Sequence, residues 1–408
     1  MFGDLVGLTR VIKARDLNAD GYVDLLLGNT FDTQSHLLLG AADGSFTDVT
    51  ATNLPAAELS VGDLEIGDVD ADGDLDVVLV DWGDGNPFDT TGRVQLWLND
   101  GPAVFHDQTE FYMPETTVAF SWDIELVDIE NDWDLDVAVS CKSCEGSYLF
   151  LNEAGFTDVT DGRMPQFTNN YEFTPVDLDG DGYLDLTTTN DGPDTGRGLA
   201  EHVFRNNGAG GFEDVTDAWW TGDANPGYDD NMVVAVDIES DGDADFFVGS
   251  LDGPDRLLLN DGTGRLSMVI GLYDAAPSRG TLGWAVADLN GDQRPDLVES
   301  QGETPGHEAE KVYFATDAVP PDTAPPTITT DYVPGSTGQL TVHARVHDNR
   351  TPNMPHDWQA VEIRWANGDR VPMTWYGENL FRAEHDVPAD AGDAQVCARD
   401  AAGNEACV

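Results

Sequence analysis

A nonapeptide with Asp at both ends and oxygen-bearing side chains at alternate positions occurs six times along this chain, and it constrains the fold more than any other feature. The copies run Asp16 to Asp24, Asp68 to Asp76, Asp128 to Asp136, Asp177 to Asp185, Asp237 to Asp245 and Asp288 to Asp296. Their first residues stand 52, 60, 49, 60 and 51 apart, a blade-like period.

The order within each period is constant: a short strand enters the loop, an apolar strand leaves it, a third strand ends near Asn, and an aromatic-led strand follows. Leu75 to Val80, Val94 to Asn99 and Phe105 to Thr109 give one full set. Tyr148 to Asn152 and Leu257 to Asn260 repeat the third strand, and Phe46 to Thr50, Phe156 to Thr160 and Phe212 to Thr216 the fourth. Gly, Pro, Asn and Asp interrupt nearly every apolar run, and helical periodicity is almost absent, so the chain reads as all-β. Four short strands per unit predict a β-propeller of six blades, with seven as the alternative.

The loop pattern is suited to a hard dication. Calcium takes six to eight oxygens at about 2.3–2.6 Å. Position 1 offers Asp16, Asp68, Asp128, Asp177, Asp237 and Asp288; position 3 offers Asn18, Asp70, Glu130, Asp179, Glu239 and Asn290; position 5 offers Asp20, Asp72, Asp132, Asp181, Asp241 and Asp292. The backbone carbonyl of position 7 is assigned to Tyr22, Asp74, Asp134, Tyr183, Asp243 and Arg294, and position 9 closes the shell with Asp24, Asp76, Asp136, Asp185, Asp245 and Asp296. Solvated Asp-Gly turns explain one such loop without metal, but not six in register. Four to six calcium ions are therefore expected, with a structural role. Gly at position 6 permits the sharp turn; Trp133 and Gln293 replace it in the third and sixth loops, which are expected to be weaker or empty.

These loops and strands resemble FG-GAP/VCBS repeats, the family that builds the integrin α-subunit head and many bacterial extracellular propellers. The resemblance covers roughly residues 5 to 316 and implies an extracellular or cell-surface protein. The last repeat ends at Val312 to Ala315 without a clear fourth strand. Phe2 to Val6 either completes that blade or marks a truncated N-terminus. No export signal is present in these residues.

Charge and cysteines narrow the setting. The formal charge is −58, from 77 acidic against 19 basic residues, a surface that repels nucleic acid and anionic lipid. No run approaches the length of a membrane span. Cys141 with Cys144 and Cys397 with Cys407 form two local pairs suited to an oxidising compartment, and Cys141-Lys-Ser-Cys144 is read as a loop staple rather than a redox motif.

The expected organisation is a propeller over residues 1–316, a Pro-rich spacer over 317–326 and a β-sandwich over 327–408. Cys397 to Cys407, with its Asp-x-x-Gly-Asn turn, resembles the closing hairpin of bacterial Ig-like or fibronectin-like modules, which implies that the two cysteines face each other. His343, His347, His356 and His385 lie in this module at irregular spacing and are read as surface residues rather than metal ligands.

Two functions follow. The first is an extracellular calcium-binding scaffold for adhesion or for binding a protein or glycan ligand, through loops on one propeller face, with the long insertions 81–92 and 190–201 as contacts. The second is a carbohydrate-active enzyme, a polysaccharide lyase or hydrolase, with Trp82, Trp97, Trp219 and Trp220 as sugar platforms, although Trp in blades more often packs a core. No catalytic motif stands out, and oligomeric state is not readable from the sequence.

Overall fold

The computed structural model describes residues 5, 7–83, 91–142, 146–190, 198–269, 280–302, 309–335, 338–348, 358–388 and 392–408. Six antiparallel sheets follow in chain order, each an up-and-down meander. The first is built from Leu8–Arg15, Asp24–Thr30, His36–Gly40 and Phe46–Asp48. The second uses Val61–Gly67, Asp76–Asp81, Arg93–Asn99 and Phe105–Asp107; the third Ile124–Val127, Asp136–Val139, Tyr148–Asn152 and Phe156–Asp158. The fourth and fifth repeat the order from Asn170–Val176 and from Asp230–Val236. The sixth holds Thr281–Ala287, Asp296–Gln301 and Lys311–Tyr313, and no fourth strand among the described residues. Repeated four-stranded sheets in an almost wholly β chain are the β-propeller class expected. Phe2 and the other residues of that proposed closing strand, apart from Leu5, lie outside the described residues.

The chain divides into two compact units: residues 1–175, 188–200 and 204–214, and residues 176–187, 201–203 and 215–408. In the first, Leu26, Leu37, Val61, Leu64, Val77, Leu79, Trp97 and Phe105 form one core from two successive sheets. In the second, Trp220, Val233, Phe246, Val248 and Leu258 form another. Trp97 and Trp220 are at most 1% exposed, so burial removes them from any sugar-binding surface.

The fourth strands are shorter than the sequence suggests. Phe46–Asp48 stops two residues before Thr50, because the Asp48 carboxylate accepts the Thr50 N–H (2.9 Å) and starts a one-turn helix, Thr50–Asn53. The Thr50 hydroxyl then accepts the Leu37 N–H at 3.0 Å, and Thr109, Thr160 and Thr216 make the same bond to Leu96, Leu149 and Val203.

A second regular bond stitches neighbouring sheets. The Asn that ends a third strand donates its side-chain amide to the carbonyl at position 2 of the preceding loop: Asn99 to Leu17 (3.2 Å), Asn152 to Val69 (2.8 Å), Asn206 to Ile129 (2.8 Å) and Asn260 to Leu178 (2.9 Å).

The C-terminal residues form two four-stranded sheets. Thr327–Pro334, Gln339–His347, Leu380–Asp386 and Thr374–Gly377 make one; Arg370–Pro372, Ala360–Trp365, Ala394–Arg399 and Glu405–Cys407 make the other. Val342, Val346, Ile363, Trp365, Phe381 and Val396 share one core, giving a β-sandwich. Cys397 and Cys407 are cross-strand partners joined by a disulfide. Cys141 is disulfide-bonded, and Cys144 lies outside the described residues. His343 is half-buried against Tyr376 rather than on the surface, and His356 lies outside the described residues.

Candidate metal centres

The six nonapeptides fold alike, each joining the first strand of a sheet to its second. The position 1 carboxylate caps the turn. Asp177 accepts the N–H groups of Asp181 (3.2 Å) and Gly182 (3.0 Å), and Asp16, Asp128, Asp237 and Asp288 accept the equivalent pair. Asp68 accepts the Gly73 N–H at 3.0 Å. The position 5 carboxylate accepts the position 7 N–H, from Asp20–Tyr22 (2.9 Å) through Asp292–Arg294 (3.1 Å).

Position 6 is left-handed in every loop, at φ +87° for Gly21, +106° for Gly73, +89° for Gly182 and +99° for Gly242. Trp133 (+76°) and Gln293 (+65°) adopt the same conformation without glycine's freedom, the strain expected from the sequence. Position 4 is left-handed too, at Ala19, Ala71, Asn131, Gly180, Ser240 and Gly291, a feature the sequence analysis missed because no single residue type marks it.

Asp24, Asp76, Asp136, Asp185, Asp245 and Asp296, the position 9 residues, are all 0% exposed. One carboxylate oxygen accepts the position 2 N–H, as in Val69 to Asp76 at 3.0 Å; the other reaches the third strand, as in Asn99 to Asp76 at 2.8 Å. Despite these bonds, burial pushes the metal-free carboxyls of Asp76 and Asp245 up to about 8 and that of Asp136 up to about 9. Burial and the neighbouring Asp132 and Asp241 likewise raise Asp134 and Asp243.

This donor set fits a hard cation. Positions 1, 3 and 9 bring ligand atoms within 4.8 Å of one another in the second loop, at Asp68, Asp70 and Asp76, and in the fourth, at Asp177, Asp179 and Asp185. A third set, Asp322, Asp348 and Asp400, does the same in the spacer and sandwich.

In the first unit the first strands lie side by side and carry an acidic group that the sequence analysis missed: Asp63, Glu65, Asp123, Glu125 and Glu172, with Lys13 ion-paired to Glu65. Their signal was their place in the repeat: Asp63, Asp123 and Glu172 stand five residues before the second, third and fourth loops, and Glu65 and Glu125 three residues before the second and third. Burial and mutual repulsion hold Asp123 and Glu125 well above the usual carboxylate range. At the sheet ends remote from the loops, Trp82 stacks on Trp122 at 5.6 Å, and the Arg10 guanidinium lies 3.5 Å from the Trp122 ring centre. Lys142 and Tyr171 complete this cluster, which Phe31, 47% exposed, flanks. Trp82 is 3% exposed, and most of the insertions at 81–92 and 190–201 lies outside the described residues.

No described helix is long and apolar enough to cross a membrane. No curated protein matches the chain. Among solved structures, the crystal structure of BBS1N in complex with ARL6DN, soaked with mercury, is similar at 12% identity and a TM-score of 0.41, over 95% of this chain and 94% of that one. The crystal structure of puromycin hydrolase is similar at 13% identity and a TM-score of 0.39, over 90% of this chain and only 50% of that one. A family model described as FG-GAP-like repeat matches residues 16–79, 68–139, 128–188 and 237–299. These spans cover more than half of the chain and contain all six nonapeptides, so the chain belongs to the FG-GAP-like repeat family.

Proposed function

We propose that this protein is an extracellular β-propeller scaffold whose Asp loops bind calcium, and that the ions hold the blades that present a ligand-binding face. The observation that carries the reading is the convergence of three carboxylates in the second and fourth loops, in a fold that six loops repeat. Buried carboxyls pushed towards neutrality need either protons or a cation, and a dication suits oxygen donors that also cap a tight turn.

The end of the first unit remote from the loops is the better binding face, because Phe31, Trp122, Tyr171 and Lys142 leave aromatic and cationic surface accessible there. A protein or glycan ligand is consistent with such surface. The adhesion role and the propeller boundary at residue 316 belong to the same proposal.

Titration calorimetry of calcium into chelator-stripped protein tests it. Asp68→Asn and Asp177→Asn should each remove one site. Absence of binding heat in the unaltered protein would sink the calcium reading.

A further inference from the structure

The two residues that set the sixth loop apart, Gln293 at position 6 and Arg294 at position 7, are also the residues through which that loop holds the rest of its unit. The Arg294 side chain folds back on its own loop, with Nη1 3.4 Å from the Asp292 carboxylate. Its Nε donates to the Val319 carbonyl at 2.7 Å, and Nη2 lies 3.5 Å from Asp317. The Gln293 carbonyl accepts the Asp322 N–H at 2.7 Å, and its side-chain amide donates to Ala402 O in the sandwich at 3.1 Å. The Pro-rich stretch expected to be a stiff extended spacer is thus held to the loop at Asp317, Val319 and Asp322.

The neighbouring loops of the same unit join in. Ser240, at position 4 of the fifth loop, accepts the Thr323 N–H at 3.2 Å. Arg345, a sandwich residue only 4% exposed, donates to the position 6 carbonyl of the fourth loop, Gly182 O, at 2.8 Å.

We propose that the sixth loop is a calcium-free joint: Arg294 supplies inside the loop the positive charge that a metal supplies elsewhere, and the fourth to sixth loops together seat the C-terminal sandwich. The chemistry of the donor set supports this. Asn290 is neutral, and Asp292 is engaged by the guanidinium. A guanidinium with five fixed donors can ion-pair and hold backbone carbonyls together, which an ion cannot do at this range. Gln293 keeps a left-handed backbone at φ +65°, where glycine is easier, because glycine has no side chain to reach Ala402.

The calcium arm of the test rests on the calcium reading of the other loops; the joint itself does not. By calorimetry on the full chain, Asp288→Asn should leave the calcium stoichiometry unchanged, whereas Asp68→Asn lowers it by one; a fall of one for Asp288→Asn overturns the calcium-free assignment. Hydrogen exchange over residues 317–324 reads the joint in calcium-saturated protein. Gln293→Gly restores the common loop residue and relieves backbone strain, so it should fold, yet it should speed exchange there at least tenfold, as should Arg294→Ala. Unchanged exchange in both variants overturns the joint. If no variant and no unaltered protein binds calcium, the proposed function fails while the exchange arm still decides the joint.

Discussion

Replacing Asn152 by Ala removes one inter-sheet stitch and leaves its neighbours in place. The side chain is 6% exposed, donates to Val69 O at 2.8 Å and accepts the Gly155 N–H at 3.3 Å. Its backbone N–H to Asp136 is retained in the variant. Truncation leaves a carbonyl and an amide without their partner; a buried unsatisfied polar group costs about 1–3 kcal/mol, so the variant should lose about 2–4 kcal/mol. Val69 is position 2 of the second loop, and calcium binding there should weaken with it. Urea midpoints in excess calcium measure the loss. Asn53→Ala, which removes a less buried bond to Ala103, serves as the comparison and should lose less than about 1 kcal/mol. A loss below about 0.5 kcal/mol for Asn152→Ala, with calcium binding unaltered, refutes the idea that these Asn residues hold adjacent sheets in register.

Other perturbations test other parts of the account. Gly62→Ala places a Cβ 2.3 Å from the Trp82 indole nitrogen and 2.5 Å from Ser121 O, so thermal melting should show a loss of about 2 kcal/mol or more and a change in Trp fluorescence. Burial and the neighbouring Asp63 push Glu172 up to about 8 from an unfolded value near 4.5. A folded value raised in this way gives stability that is present below about pH 4.5 and lost as pH rises through about 8. Between pH 6 and 9, with calcium saturating, Glu172→Gln should flatten the fall in stability by at most about 1.4 kcal/mol per pH unit; an unchanged slope contradicts the reading.

Much of this architecture is written in local chemistry, which is why it was legible. Asp at positions 1, 5 and 9 is demanded by the turn itself, and strands such as Val94 to Asn99 carry apolar residues and a terminal Asn that recurs as Asn152, Asn206 and Asn260. The parts that were not legible depend on what lies far away in sequence. Thr50, Thr109, Thr160 and Thr216 read as strand ends, yet each opens a helical turn and its hydroxyl accepts an N–H from a strand 11 to 13 residues earlier. Trp97 and Trp220 look like candidates for a groove until packing buries them. Asp63, Glu65 and Glu125 are ordinary polar residues of alternating strands, and only the side-by-side packing of first strands makes them a charged group. Gln293 and Arg294 read as defects in a repeat because their partners, Ala402 and Val319, are elsewhere in the chain.

The most direct test of the central claim is scanning calorimetry of the unaltered chain at pH 7.5, once with excess calcium and once with excess chelator. Ligand that binds only the folded state stabilises it by linkage, about 2.7 kcal/mol per site at a hundredfold excess over Kd. The account predicts a rise in Tm of many degrees with calcium, increasing with its concentration. Identical melting curves in the two conditions would contradict it.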